Sequence, residues 1–189
     1  MAIRSLKTGS FSRSLLVGNS FYDPYAYRSI ATVSVGAGGT SSATFNLSGV
    51  TGYTHLQIRY ITYASNGSYL SVQFNSDTGT NYRWHQANSD GATVSAGDGG
   101  ADTRIALPRG GNAANIFGVG IVDILDYTNT NKYKTTRALG GKDQNGTGYV
   151  DFTSGVWLST SAITSITLYH ASLTLPQYTR FALYGIRSA

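Results

Sequence analysis

The chain has 189 residues, no cysteine and a net charge of +5 from only 12% charged residues. That length fits one domain with a core of its own, and it excludes disulfides and thiolate chemistry. All nine acidic residues are aspartate, positive charge is mostly arginine, and Gly, Ser, Thr, Tyr and Val are abundant. With strong helix formers thin and β-branched and aromatic residues plentiful, the composition predicts an all-β antiparallel sandwich. No run approaches the ~18 apolar residues of a membrane-spanning helix, so no membrane partner is expected. Leu15-Leu16-Val17 is shorter than the about 7–15 apolar residues of a signal-peptide core.

Residues 1–28 read as an N-terminal arm and residues 29–189 as the sandwich. The arm has no sustained period of either kind, and its turn signals are Gly18-Asn19 and Asp23-Pro24. Ile3, Leu6, Phe11, Leu15, Leu16, Val17, Phe21 and Tyr22 are more apolar residues than a solvated tail needs, which favours an extended arm over a disordered one. Ile3, Arg4, Leu6, Lys7, Phe11 and Arg13 are its candidate partner-binding residues.

About ten strands follow at the spacing of an antiparallel sandwich. Ile30–Val35 and Ala43–Leu47 come first, then Thr54–Tyr63, with Leu56, Ile58 and Tyr60 on one face and Gln57 and Arg59 on the other. Asn66-Gly67 is a type I′ turn signal before Tyr69–Phe74. Asn75–Gly79 is a second turn, Asn81–Gln86 a short aromatic strand, and Asn88–Gly100 a glycine-rich excursion. Arg104–Leu107 precedes the longest apolar run, Ile116–Tyr127, which breaks at Thr128–Asn131 and returns as Lys132–Leu139. So short a connection makes a hairpin, with Asp123 and Asp126 facing Lys132 and Lys134 across it. Asn145-Gly146 is a turn, Tyr149–Leu158 carries a bulge or bend at Gly155, and Ile163–Tyr169 and Tyr178–Ile186 close the chain. The expected core is Ile58, Val72, Phe74, Phe117, Val119, Ile121, Trp157, Ile166, Leu168 and Phe181.

The residues that carry chemistry are scattered. His55, His85 and His170 stand alone, with none of the spacing of a zinc site, and no metal or other cofactor is expected. Asp90, Asp98 and Asp102 lie in or beside the glycine-rich stretch and Asp77 in a turn; calcium uses such oxygens, but turn aspartates mostly bond their own backbone. Asp123 and Asp126, three apart on a strand, point to opposite faces and cannot flank a sugar as a local carboxyl pair. No nucleophile elbow or phosphate loop is present. No catalytic residue is therefore expected. Arg4, Lys7, Arg13 and Arg28 are too sparse for a counterion-release nucleic-acid binder and equally suit carboxylates of a protein partner. Trp84, between Arg83 and His85, is the better surface candidate for stacking on a glycan, while Trp157 reads as core.

The opening AIRSLKTGSFSRS, the segments YTHLQIR (Tyr53–Arg59) and FNSDTGTNY (Phe74–Tyr82), the central ANIFG with YTNTNKYKT, SGVWLSTSAITSITL (Ser154–Leu168) and the ending FALYGI (Phe181–Ile186) resemble a family of small tailed-bacteriophage virion structural proteins. The resemblance spans nearly the whole chain and rests on the order of these segments, none of which is chemically diagnostic. It implies a jelly-roll-like sandwich that works by assembly, as a homotrimer, without catalytic residues. The expectation is a capsid decoration, or cement, protein on the virion exterior that clamps major capsid protein subunits. The alternative is a tail component, a fibre tip or baseplate decoration, that binds a host surface glycan.

Overall fold

The computed structural model describes residues 15–17, 20–22, 26–113 and 115–187, the first two stretches as backbone alone. The described residues form fourteen strands and no helix. They are β1 (Leu15–Val17), β2 (Ser20–Tyr22), β3 (Tyr27–Ser34), β4 (Ala43–Asn46), β5 (His55–Thr62), β6 (Tyr69–Phe74) and β7 (Tyr82–Ser89), then β8 (Val94–Asp102), β9 (Ile105–Arg109), β10 (Gly118–Leu125), β11 (Lys134–Asp143), β12 (Gly148–Trp157), β13 (Ser165–His170) and β14 (Arg180–Ile186). β1 and β2 pair as a small hairpin. The others make an eight-stranded sheet, in the order β3-β14-β5-β10-β11-β12-β7-β8, and a four-stranded sheet, β4-β13-β6-β9. From β4 onward the chain crosses repeatedly between the two sheets, with β7–β8 and β10–β12 running consecutively within the large one, and the fold is an antiparallel, jelly-roll-like β-sandwich. The large sheet takes in Tyr27 and Arg28, which pair with Ile186 and Gly185 of β14.

The core lies between the sheets and is built by period-2 alternation. Leu56, Ile58 and Tyr60 of β5 point in and Arg59 points out, as the pattern predicts. Leu70, Val72 and Phe74 meet them from β6, and Ile166 and Leu168 from β13. Around Trp157 an aromatic cluster forms: the ring of Tyr82 stacks at 6.4 Å and that of Phe74 lies tilted at 5.8 Å. The indole Nε1 donates to Asp77 Oδ2 at 2.7 Å, which satisfies the polar end of a buried side chain.

The central hairpin is present, with β11 running on through Gly140-Gly141 to Asp143. Of its expected charge pairing across the turn, the Asp126–Lys132 pair forms and the part involving Asp123 and Lys134 does not. Asp126 bonds Lys132, and Asp123 bonds Arg137 at 2.8 Å. Lys134 is buried, and its ammonium donates to the carbonyls of Lys132 and Thr160, both at 3.0 Å.

Two core assignments are overturned. Val119 and Ile121 are 52% and 40% exposed and face outward, while Gly118, Gly120, Val122 and Ile124 face the core. The cause is close packing over glycine. A Cβ on Gly120 would stand 2.4 Å from the Tyr60 ring, and one on Gly140 would stand 2.4 Å from Pro108. Tyr60 and Pro108 fill the space that side chains on the sheet would otherwise occupy, and the Tyr60 hydroxyl donates to the Pro108 carbonyl at 3.0 Å. Phe117, also assigned to the core, is only half-buried, in the approach to β10, with its ring 5.9 Å from that of Tyr63.

Three local expectations change as well. Asn66-Gly67 joins strands of different sheets, a crossover rather than a hairpin. Asn88–Gly100 belongs largely to the hairpin of β7 and β8, and β8 is one edge of the large sheet. Gly155 sits in unbroken register between β11 and β7, where it admits Ile105 from the facing sheet instead of making a bulge. The Asn145-Gly146 turn is as expected, with both residues at positive φ and Gln144 N–H bonded to Thr147 O at 2.6 Å.

Candidate functional site

The feature that stands out is the outer face of the eight-stranded sheet. In antiparallel sheets the face turned from the core is normally polar. Here two adjacent rows of it are apolar. The strand registers align Ile61, Val119, Gly141, Val150, Ser89 and Val94 across β5, β10, β11, β12, β7 and β8. The next row is Arg59, Ile121, Leu139, Phe152, Ala87 and Ala96. Leu139 is 54% exposed, Val150 58%, Phe152 47% and Val94 78%, so this surface is uncovered in the folded chain.

Gly141 lacks a side chain between Val119 and Val150, and the surface dips there into an open groove of about 680 Å³. The groove is walled by Phe117 and Tyr149 and by the β7–β8 and β11–β12 turns. A depression of about 430 Å³ lies over Arg59, Ile121 and Leu139, and another of about 180 Å³ lies beside Val94 and Phe152.

The third row is polar: Gln57, Asp123, Arg137, Ser154, His85 and Asp98. Its centre is neutralised within the chain, because Asp123 accepts from Arg137 and from Gln57 Nε2, both at 2.8 Å. The margins are not alike. On the β5–β14 side the outward residues Arg59 and Arg180 are basic, and on the β8 side Asp98 is acidic and exposed.

Behind the face, where β12 meets β9, lies a buried ion pair. Asp151 is fully buried and accepts from Arg109 Nη1 at 2.9 Å and from the Arg109 backbone N–H at 3.1 Å. The guanidinium is held between the rings of Tyr69 and Tyr149, at 4.5 and 4.1 Å. Lys142 Nζ donates to Asn112 Oδ1 at 2.6 Å, and burial, with Arg109 close by, holds its pKa below the usual lysine range. Every charge in this cluster has a partner within the chain, so it clamps β9 to the large sheet.

The remaining candidates are held in structural contacts. His170 is buried between Thr62 Oγ1 and the Tyr69 carbonyl, both at 3.2 Å, and burial lowers its pKa. His55 Nδ1 accepts the Asp126 N–H at 2.9 Å, and His85 lies exposed in the polar row. Asp77 binds Trp157, and the Trp157 indole together with the Asn81 amide lowers its pKa. Asp90 and Asp143 cap their own turns. Asp102 accepts from Trp84 Nε1 at 2.9 Å, so Trp84, the residue expected to stack on a glycan, is instead packed against the core side of β7 with its polar end satisfied. Among the described residues no group of three or more His, Cys, Asp or Glu side chains forms a metal-binding cluster. Ile3, Arg4, Leu6, Lys7, Phe11 and Arg13 lie outside the described residues.

No family model, curated protein or solved structure matches the chain. The sequence expectations place partner binding on the arm and none on this sheet face. The available signal was GVGIVDIL in β10, which is apolar on both faces, whereas an antiparallel strand with one wet face alternates.

Proposed function

We propose that this chain is a non-enzymatic bacteriophage virion structural protein, most specifically a capsid decoration protein that assembles with its own copies and clamps major capsid protein subunits. The observation that carries this reading is the uncovered pair of apolar rows on the outer face of the large sheet. A protein that acts by contact needs such a surface, and soluble monomers seldom keep a contiguous apolar patch beyond about 300–600 Å² without a use for it. The buried charged groups described above are held by partners within the chain that build the fold, which leaves the surface as the working part. The order of segments shared with the phage family supports the same reading.

The arm has a distinct part in this proposal. Ordering it costs about 1–2 kcal/mol per residue in conformational entropy, and only an extensive contact on another protein would offset that. Arg4, Lys7 and Arg13 suit carboxylates on a partner, and Ile3, Leu6 and Phe11 suit apolar grooves. Deleting residues 1–20 is expected to leave the sandwich folded and to abolish co-sedimentation with particles that lack the protein. Undiminished binding refutes the arm as tether. A copy number in virions comparable with that of the major capsid protein supports the capsid location, and a copy number like that of a tail component refutes it in favour of the tail.

A further inference from the structure

We infer that copies of this chain associate through the outer face of the eight-stranded sheet, with the half of the face bearing Arg59 and Ile61 in one copy packed against the half bearing Val94 and Asp98 in the next. The inference rests on the reading of the protein as an assembly component, and it names the surface and the partner. Three properties of the face select a second copy as its occupant.

The first is size. Six strands about 4.8 Å apart and three rows about 6.8 Å apart make a footprint of roughly 600 Å², before side-chain corrugation is counted. Stable interfaces take about 600–1,000 Å² of accessible surface from each partner, so the face reaches the lower end of that range.

The second is charge. One margin is basic and the other acidic, and the centre is internally neutral through Asp123 and Arg137. A partner of uniform charge would meet repulsion at one margin. A second copy, turned about an axis parallel to the strands, brings its β8 margin over the first copy's β5 margin and sets Asp98 near Arg59. The same reversal sets the second copy's His85 opposite Asp123 and leaves apolar rows on apolar rows. Arg83, the basic residue on the acidic half, is folded back onto the carbonyls of Thr80 and Tyr82, whereas Arg59 lies exposed over the rings of Tyr27 and Tyr184 with Nε donating to Gln57 Oε1 at 3.2 Å.

The third is shape. Under the same half-turn Leu139 of each copy lies against Phe152 of the other, and Val150 meets the dip at Gly141, as in the packing of two sheets. A half-turn closes on two copies, so basic half on acidic half covers both halves of each face in the pair.

Sedimentation of the whole chain tests this. The wild type is expected at twice 20.1 kDa. Leu139→Asp places a charge at the centre of the contact and is expected to raise the apparent dissociation constant about 30-fold or more, with near-ultraviolet circular dichroism unchanged. Arg59→Asp is expected to weaken association, and adding Asp98→Arg to it to restore association. A monomeric wild type overturns the inference, as does a Leu139→Asp variant of undiminished mass, or an Arg59→Asp, Asp98→Arg pair that stays as weak as the single variant. Particle co-sedimentation of the same proteins reads the virion proposal separately. A monomer that binds particles overturns this interface alone, whereas an oligomer that binds none overturns the virion reading alone.

Discussion

Valine to alanine at positions 119 and 122 removes the same two methyl groups from the two faces of one strand. Val122 is fully buried, in a core that Leu56, Ile58 and Leu107 also line. Two methyl groups carry about 1.6 kcal/mol of transfer free energy. The void left in a close-packed core raises the total to about 2–3 kcal/mol. Val119 is 52% exposed, so about half of the transfer term is at stake and no cavity forms. Its loss is expected to cost under about 1 kcal/mol in the monomer. Urea denaturation at a protein concentration below that of self-association, with equal m-values, reads both figures. At higher concentration Val119→Ala is expected to weaken association, and Val122→Ala to leave it unchanged wherever the protein remains folded. Equal costs, or a greater cost at Val119, would refute the orientation of β10 and with it the apolar outer face.

Two further outcomes follow from the core. Trp157→Ala empties the centre of the aromatic cluster and leaves Asp77 without its indole donor, with an expected loss of about 3–5 kcal/mol in the same denaturation assay; a loss below about 1 kcal/mol would show that the cluster is not cooperative. At alkaline pH the buried tyrosines control stability. Burial pushes Tyr82 up to about 12 and raises Tyr60, Tyr127 and Tyr169 as well. An unfolded tyrosine ionises near about 10. The fold therefore holds protons that the unfolded chain has released, and each such group lowers stability by about 1.4 kcal/mol per pH unit between its two pKa values. Stability is expected to be intact below pH 9 and to fall from about pH 10 toward about pH 12. Lys134 and Lys142, whose ammonium groups burial disfavours, act in the opposite sense, but their window closes near about 10.4. Denaturation at stepped pH, with phenolate absorbance followed in parallel, checks this; constant stability between pH 9 and pH 11 would contradict it.

Much of the sandwich is legible in the residues because its strands alternate. Leu56, Ile58 and Tyr60, then Leu70, Val72 and Phe74, point inward as their period requires. β10 defeats the same rule, because glycine gives no hydropathy signal. Gly118 and Gly120 face the core for the sake of Tyr60 and of the backbone near Arg109, and their β-branched neighbours are left outside. β8 is hidden for a related reason. Val94–Asp102 contains three glycines and a few small or acidic residues, and its pairing with β7 is a tertiary fact with no local signature. The Asn66-Gly67 pair reads the same whether the following strand pairs with the preceding one or crosses to the other sheet, so the crossover is equally silent. The outer face has one trace in the sequence, namely the apolar run Ile116–Val122 leading through what had to be an antiparallel strand.

The construction beneath that surface bears on the proposed association. β10, β11 and β12 are hydrogen-bonded on both sides, and the inner face of this region is fixed by Tyr60 and Pro108 over glycines and by the Arg109–Asp151 pair between two tyrosine rings. Leu139, Val150 and Phe152 therefore project from a backbone that has little freedom left to lose. Their strand positions also restrict their rotamers before contact is made. Association pays mainly for side-chain ordering and rigid-body freedom, and a pre-ordered platform reduces the first of these. The polar row beside the apolar ones adds orientation. A face that slid by one strand would lose the match between Arg59 and Asp98 while keeping most of its apolar contact, so apolar area supplies the attraction and the two unlike margins select the alignment.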